Sequence, residues 1–147
     1  METIKYQAVV LGAGPGGYPC AIRLGQLGIK TLVIEREYWG GVCLNVGCIP
    51  SKALITAGKR YEEILHADSM GIEVPIRPTV NMQKLQAWKG TVVNKLTSGV
   101  RTLLKGNKVE MLQGNATFTG PKSLEVQTLD GLKQIEAEHL VIATGSR

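Results

Sequence analysis

The chain has 147 residues, of which 44% are apolar and 5% aromatic, with eighteen glycines. That is one domain's worth of chain with enough apolar content for a core. It excludes a disordered chain, a disulfide-dense mini-protein and a coiled coil. Lys plus Arg is 17 against 12 Asp plus Glu, a net charge of +5. The surplus is local: residues 74–109 hold Arg77, Lys84, Lys89, Lys95, Arg101, Lys105 and Lys108 and no acid. None of these seven is adjacent to another, and no aromatic ladder or binding motif accompanies them. A solvated helix face or a surface for an acidic partner is therefore expected rather than a nucleic-acid site. No uninterrupted apolar run approaches the ~18–20 residues a membrane span needs. Residues 1–6 (METIKY) lack a charged segment leading into a clean apolar one. No signal or transit peptide is expected, and a reducing cytoplasmic interior is the default.

In chain order, residues 6–11 (YQAVVL) form a short apolar run, expected as a buried strand. Gly12-Ala13-Gly14-Pro15-Gly16-Gly17 follows at once, then a helix over 18–27 that ends at Gly28. Thr31-Leu32-Val33-Ile34 is a second buried strand, closed by Glu35. Strand, glycine turn, helix and strand in about thirty residues predict a βαβ unit with a parallel pair. A glycine- and cysteine-rich segment, 40–52, precedes a helix expected over 51–66. Pro75 and Pro78 mark an irregular stretch. A long helix is expected over 81–104. At 100° per residue Met82, Leu85, Trp88, Val92, Val93, Leu96, Val100, Leu103 and Leu104 fall in one arc. The expectation is that this arc, Trp88 included, faces the core. From 109 onward the pattern turns to strands: 109–112, 116–118, 124–128, 134–137 and 139–143, with a turn at Asp130-Gly131. The run 140–143 is again continuous and apolar and reads as a further parallel strand beside the βαβ pair. Nothing repeats and nothing is low-complexity. The expected class is α/β, a parallel sheet of at least three strands with an antiparallel meander inserted at about 109–138.

Two segments carry chemistry. In Gly12-x-Gly14-x-x-Gly17 the first glycine permits the tight turn, the second lets a pyrophosphate reach the backbone, and the third lets helix and strand pack closely. The phosphates then meet the unpaired N–H groups of a helix N-terminus. Glu35, 18 residues beyond Gly17, stands where an adenosine ribose diol is gripped. The motif alone does not separate FAD from NAD; a carboxylate at 35 argues against a 2′-phosphate and hence against NADP. The second segment is 40–52, GGVCLNVGCIPSK, with a Cys43-x4-Cys48 pair. Five residues along an ideal helix turn ~140° and rise ~7.5 Å, so the two side chains diverge unless the turn is distorted. Gly47 allows such a distortion. Cys48 then stands near a helix start, where the dipole and Lys52 favour a thiolate, and the pair can cycle between dithiol and disulfide. Cys20, inside the first helix, reads as core filler. Three thiols with neither histidine nearby make a poor zinc set, and no metal site is expected. His66 and His139 read as surface residues.

These two motifs, with the Ala143-Thr144-Gly145 close, resemble the flavoprotein disulfide reductases over the whole length, from LGAGPGGY to ATGSR. The resemblance is greatest to the members that oxidise dihydrolipoamide for the 2-oxo acid dehydrogenase complexes. Glutathione and mercuric reductases are similar around the cysteines but typically differ near Leu44, Ile49 and Ser51. Soluble transhydrogenases usually lack the first cysteine, present here as Cys43.

The resemblance implies a Rossmann-like FAD-binding fold over residues 1–147, carrying a redox disulfide in 40–52. FAD's pyrophosphate would lie over Gly12, Gly14 and Gly17, with Pro15 and Gly16 between them. Glu35 would bind the adenosine ribose, with Arg36 beside it. Gly40, Gly41 and Val42 through Cys43 would line the dinucleotide, Gly114 to Ala116 would meet the adenine, and Thr144, Gly145 and Ser146 would approach from the last strand. Cys48 would be the flavin-side sulfur, Cys43 the interchange sulfur, and Lys52 the cation beside flavin N5. In the family's forward reaction dihydrolipoamide, carried on lipoyl domains, reduces the disulfide, electrons pass to FAD, and a hydride leaves to NAD⁺. The family is homodimeric. Its members are far longer, with an NAD domain, a returning FAD-domain segment and an interface domain that supplies a His–Glu pair. Pro19-Cys20 also departs from the small or β-branched residues usual there.

Overall fold

The continuous apolar runs in the central strands explain why both sheet faces are covered. In the computed structural model, which describes residues 3–146, β1 spans Thr3–Leu11 and β2 spans Thr31–Glu35. Met1, Glu2 and Arg147, which belong to the N-terminal reading and to the closing ATGSR run, lie outside the described residues. Val9, Leu11, Leu32 and Ile34 point to one face and Val10 and Val33 to the other, and all are buried. A strand segment that buries both faces must be apolar, as residues 8–11 of β1 and 32–34 of β2 are; Lys5 and Gln7, earlier in β1, are exposed.

The remaining elements are α1 (Tyr18–Gln26), α2 (Gly41–Asn45), α3 (Cys48–Leu65), a 3₁₀ turn (Ala67–Met70), α4 (Met82–Gly106), β3 (Glu110–Gln113), β4 (Asn115–Gly120), β5 (Ser123–Thr128) and β6 (Gly131–Ile142). Asn81 caps α4, its side chain accepting from the Lys84 amide at 2.9 Å. The six strands form one sheet in the order β3-β2-β1-β6-β5-β4. β3, β2, β1 and β6 are mutually parallel; β6, β5 and β4 are antiparallel.

Two sequence expectations change here. The run 109–112 is not part of the meander: β3 pairs in parallel with β2, Leu32 opposite Glu110 and Glu35 opposite Gln113. The two runs 134–137 and 139–143 are one twelve-residue strand, β6, paired with β1 on one side and with β5 on the other. The reason is the ladder with β1, which runs in one register from Gln134 opposite Thr3 to Ile142 opposite Leu11, even though the buried phase shifts between Ala137 and Leu140. The parallel placement of residues 140–142 beside β1 is as expected, Leu140 opposite Val9.

β3 and β4 occupy opposite edges of the sheet yet are joined by the single residue Gly114. That is possible only if the sheet rolls back on itself. Leu124 and Val126 of β5 accordingly pack with Leu32 and Ile34 of β2, and the meander roofs one face of the parallel strands. A Cβ on Gly114 would lie 2.6 Å from the Gln127 carbonyl oxygen and 2.8 Å from Val126 Cγ1, so this crossing admits only glycine. The other face is covered by α1 and α4 through Ala21, Val100 and Leu104.

α3 and α4 pair with each other, and most of their length stands away from the sheet. Only Pro50 and Ala53 of α3 and Val100 and Leu104 of α4 are buried. The arc expected to face the core is therefore mostly open. Trp88 is 43% exposed, and Met82, Leu96 and Leu103 are exposed as well. The stretch Gly41–Leu65 reaches the length of a membrane span and holds an 18-residue window with a mean hydropathy of 1.2. It is two helices broken at Val46 and Gly47, and it carries Lys52, Lys59, Arg60, Glu62 and Glu63.

Candidate functional site

The chain leaves β1 towards β2 on one side and returns in β6 on the other, so the carboxyl end of β1 is a topological switch point. Three segments converge there. Gly12, at φ +98°, donates its amide to the Ile34 carbonyl at 2.8 Å, and a Cβ on it would stand 2.3 Å from the Ala143 oxygen. A Cβ on Gly17 would stand 1.8 Å from the Gly12 oxygen. α1 begins at Tyr18 with no side-chain cap on its first-turn amides. Pro19 falls in that first turn, where a missing N–H breaks no helix bond.

The second segment is residues 40–43. The Gly40 amide donates to the Ala13 carbonyl at 2.9 Å. Gly41 has φ +68°, and a Cβ on it would lie 2.6 Å from Gly14 Cα. The glycine turn and the start of α2 thus pass backbone against backbone, with no side chain in the space between. The third segment follows β6: Ala143 donates its amide to Leu11 at 2.8 Å, and Thr144, Gly145 (φ +76°) and Ser146 continue exposed beyond it. Pro15, Gly16, Arg36 and Val42 are exposed around the same rim.

Glu35 ties the segments together. Its Oε2 accepts the Ala13 amide at 2.7 Å, and its Oε1 accepts those of Glu37 at 2.8 Å and Tyr38 at 3.2 Å. A carboxylate has about four acceptor sites, so one remains for an external donor. Gly114 stands beside it, donating its amide to the Glu35 carbonyl at 2.9 Å, whereas Ala116 packs into the meander's core.

The two cysteines lie on different helices. Cys43 is in α2, and Cys48 is the first residue of α3. Sequence spacing placed that helix start at Ser51. The break between them is Gly47, at φ −115° and ψ −107°, whose amide reaches back to the Val42 carbonyl at 2.8 Å. This reversal undoes the divergence a continuous helix would impose. Both cysteines are free thiols, Cys48 exposed and Cys43 half-buried. Hydrogen bonding to the Cys48 side chain holds the Cys43 thiol above its ordinary value of 9.0. Burial and the charge of Cys48 push the same way, while the Lys52 ammonium pulls against them. Cys20 is half-buried against the helix-side core. His66 and His139 are exposed. Among the described residues no three His, Cys, Asp or Glu side chains are grouped to hold a metal ion.

Three residues at this site carried no sequence signal. Trp39 is buried, and its indole N–H donates to Gln113 Oε1 at 2.5 Å. Asn45 Nδ2 donates to the Trp39 and Gly41 carbonyls at 3.0 and 2.9 Å. A polar cleft of about 310 Å³ lies behind this loop, lined among others by Trp39, Asn45, Thr97 and Arg101. A larger hollow of about 620 Å³, bounded by Lys5, Tyr6, Lys122 and Glu136, lies at the opposite end of β1 and shares no residue with the switch point.

A glycine-lined switch point, an acid closing the second strand and a thiol pair at a helix start define a class: an α/β dinucleotide-type domain bearing a redox dithiol. The comparisons agree. A profile described as "Pyridine nucleotide-disulphide oxidoreductase" matches residues 6–147, and the chain belongs to that family. It is 53% identical over 144 residues to the dihydrolipoyl dehydrogenase of Bacillus subtilis (strain 168) and 50% identical to that of Geobacillus stearothermophilus, each covering 98% of this chain and 30% of the relative. The dihydrolipoyl dehydrogenase of Pseudomonas aeruginosa is 45% identical over 150 residues. Among solved structures, the Cu(II) complex of HOCl-induced flavoprotein disulfide reductase RclA from Escherichia coli superposes with a TM-score of 0.81 at 28% identity. It covers 98% of this chain and 29% of that one. The chain spans about 30% of the length of the curated relatives it matches.

Proposed function

We propose that this chain is the FAD-binding and dithiol-bearing part of a dihydrolipoamide dehydrogenase. The observation that carries the reading is the Cys43–Cys48 pair, set on two helices broken at Gly47, beside a glycine-lined switch point. The residues fit a flavin dinucleotide. The approach of Gly41 to Gly14 leaves bare backbone where a pyrophosphate lies, beside the start of α1, which no side chain caps. Glu35 keeps an acceptor site for a ribose hydroxyl. Gly12, Gly14, Pro15, Gly16, Gly17, Arg36, Gly40, Val42, Gly114, Ala116, Thr144, Gly145 and Ser146 complete the proposed contacts. FAD, when bound, supplies a two-electron relay from the dithiol to NAD⁺, which is held outside these residues.

The chain's own part is thiol–disulfide exchange. One thiolate of dihydrolipoamide attacks the Cys43 sulfur of the Cys43–Cys48 disulfide, and Cys48 leaves as a thiolate. The second substrate thiolate attacks its partner sulfur in the mixed disulfide, and Cys43 leaves. Lipoamide departs and the protein holds two electrons as a dithiol. The proposed setting is a cytoplasmic homodimer serving lipoyl domains of a 2-oxo acid dehydrogenase complex.

The test is a titration of the oxidised protein with dihydrolipoamide. The expected result is one lipoamide formed per Cys43–Cys48 disulfide and none with Cys43→Ser. An oxidised wild-type protein that forms no lipoamide overturns the reading.

A further inference from the structure

Residues 36–39 join Glu35 to Gly40, and so join the strand that carries the acid to the segment that carries the thiols. Their backbone groups are satisfied from two sides. Glu35 accepts from the Glu37 and Tyr38 amides. Gln113, its directly opposed partner in the β2–β3 ladder, takes the carbonyls: Nε2 donates to Arg36 at 2.9 Å and to Glu37 at 3.4 Å. The same side chain accepts the Trp39 indole N–H through Oε1. The amide's orientation follows from chemistry, since only its oxygen can accept from an indole and only its nitrogen can donate to a carbonyl. The Arg101 guanidinium lies 5.9 Å from the Trp39 ring centroid. Gln113 is 77 residues from Arg36, so this tie exists only because β3 lies beside β2.

We propose that Gln113, acting with Trp39, is a positioning residue: it sets the pose of residues 36–39 and thereby the affinity of the site for the adenosine end of FAD. The inference rests on the FAD reading above. Gln113 has no place in the thiol exchange, and its side chain acts on the loop, not on the substrate.

The test compares dissociation constants of FAD and of FMN, which lacks the adenosine, for wild-type protein, Gln113→Glu, Gln113→Leu and Trp39→Phe. Both Gln113 substitutions remove the donor to Arg36 and Glu37, and FAD affinity is expected to fall about tenfold. FMN binding stays within twofold of wild type. Trp39→Phe keeps the ring and loses only the N–H, with a smaller loss. In Gln113→Glu the deficit against wild type shrinks from pH 8 to pH 5, as a protonated carboxyl regains a donor; in Gln113→Leu it does not. A residue that merely holds the fold would lower the melting temperature and leave the FAD-to-FMN ratio unchanged. Wild-type protein that binds FAD, with both Gln113 variants holding it within twofold, overturns this inference alone. Wild-type protein that binds no FAD overturns the dinucleotide reading and this inference with it.

Discussion

The switch-point end of the sheet and the α3–α4 pair are built on opposite terms. At the switch point, backbone from three segments meets at distances that leave no room for a methyl group: Gly17 against Gly12, Gly12 against Ala143, Gly41 against Gly14. Every one of these contacts is made within the described residues. α3 and α4 have a correct helical pattern and a good N-cap, yet only four of their residues are buried. Leu104 is fully buried and its neighbour Leu103 is 53% exposed. Amphipathic periodicity orients a helix; how much of its apolar stripe is covered depends on what else the fold brings to it.

The sharpest way to break this comparison is at Gly17. Gly17→Ala places a methyl carbon into the Gly12 carbonyl, and Gly12 cannot yield because Ala143 stands behind it. We expect a loss of roughly 3 kcal/mol or more, seen as a fall of about ten degrees in the circular-dichroism melting temperature. Gly16→Ala is the control, since its Cβ would meet only Ala143 Cβ at an ordinary 3.8 Å, and it should melt near wild type. Equal behaviour of the two variants would show that the crossing is looser than described.

Next in size is the contrast inside α4. Leu104→Ala empties a fully buried position and should cost ~2–5 kcal/mol. Leu103→Ala, one residue away on the open side, should cost under ~1 kcal/mol. Chemical denaturation of the pair measures the difference directly. Similar losses would mean the outer stripe is covered in solution.

The smallest effect is one of rate. Because hydrogen bonding to Cys48 holds the Cys43 thiol above 9.0, its thiolate forms only above the ordinary thiol range. In flavin-free protein, iodoacetamide should therefore modify the exposed Cys48 first near pH 7.5. The Cys43 rate should climb with pH without levelling by pH 9, as peptide mass spectrometry will show. Cys48→Ser removes the hydrogen bond and the neighbouring charge, so Cys43 should then titrate lower. A Cys43 rate that levels below pH 9 in wild type would contradict the assigned hydrogen bond.

Much of the site was legible because its signals are local. The glycine turn, Glu35 and the Cys43–Cys48 spacing are each set by residues within a few positions of one another, and the structure brings all of them to one end of the sheet. What escaped was whatever depends on a partner distant in sequence. Residues 109–112 carry an ordinary apolar strand pattern, and nothing in it says whether the neighbour is β2 or β4. Trp88 sits in a faultless helical arc, and its exposure follows from the length by which α3 and α4 outrun the sheet. Gln113 looks like any polar residue at a strand end until β3 sets it opposite Glu35.

The sequence by itself determined the βαβ unit, its glycine turn and the presence of a thiol pair at a helix start. Steric limits on φ, ψ and close backbone approach act between near neighbours and admit few residues. The tertiary structure alone decided the rolled sheet, the parallel place of β3, the uncovered stripe of α3 and α4, and the clamp of Gln113 on residues 36–39. Each of these is a contact across dozens of residues, and the side chains that make it carry no local mark of the partner they meet.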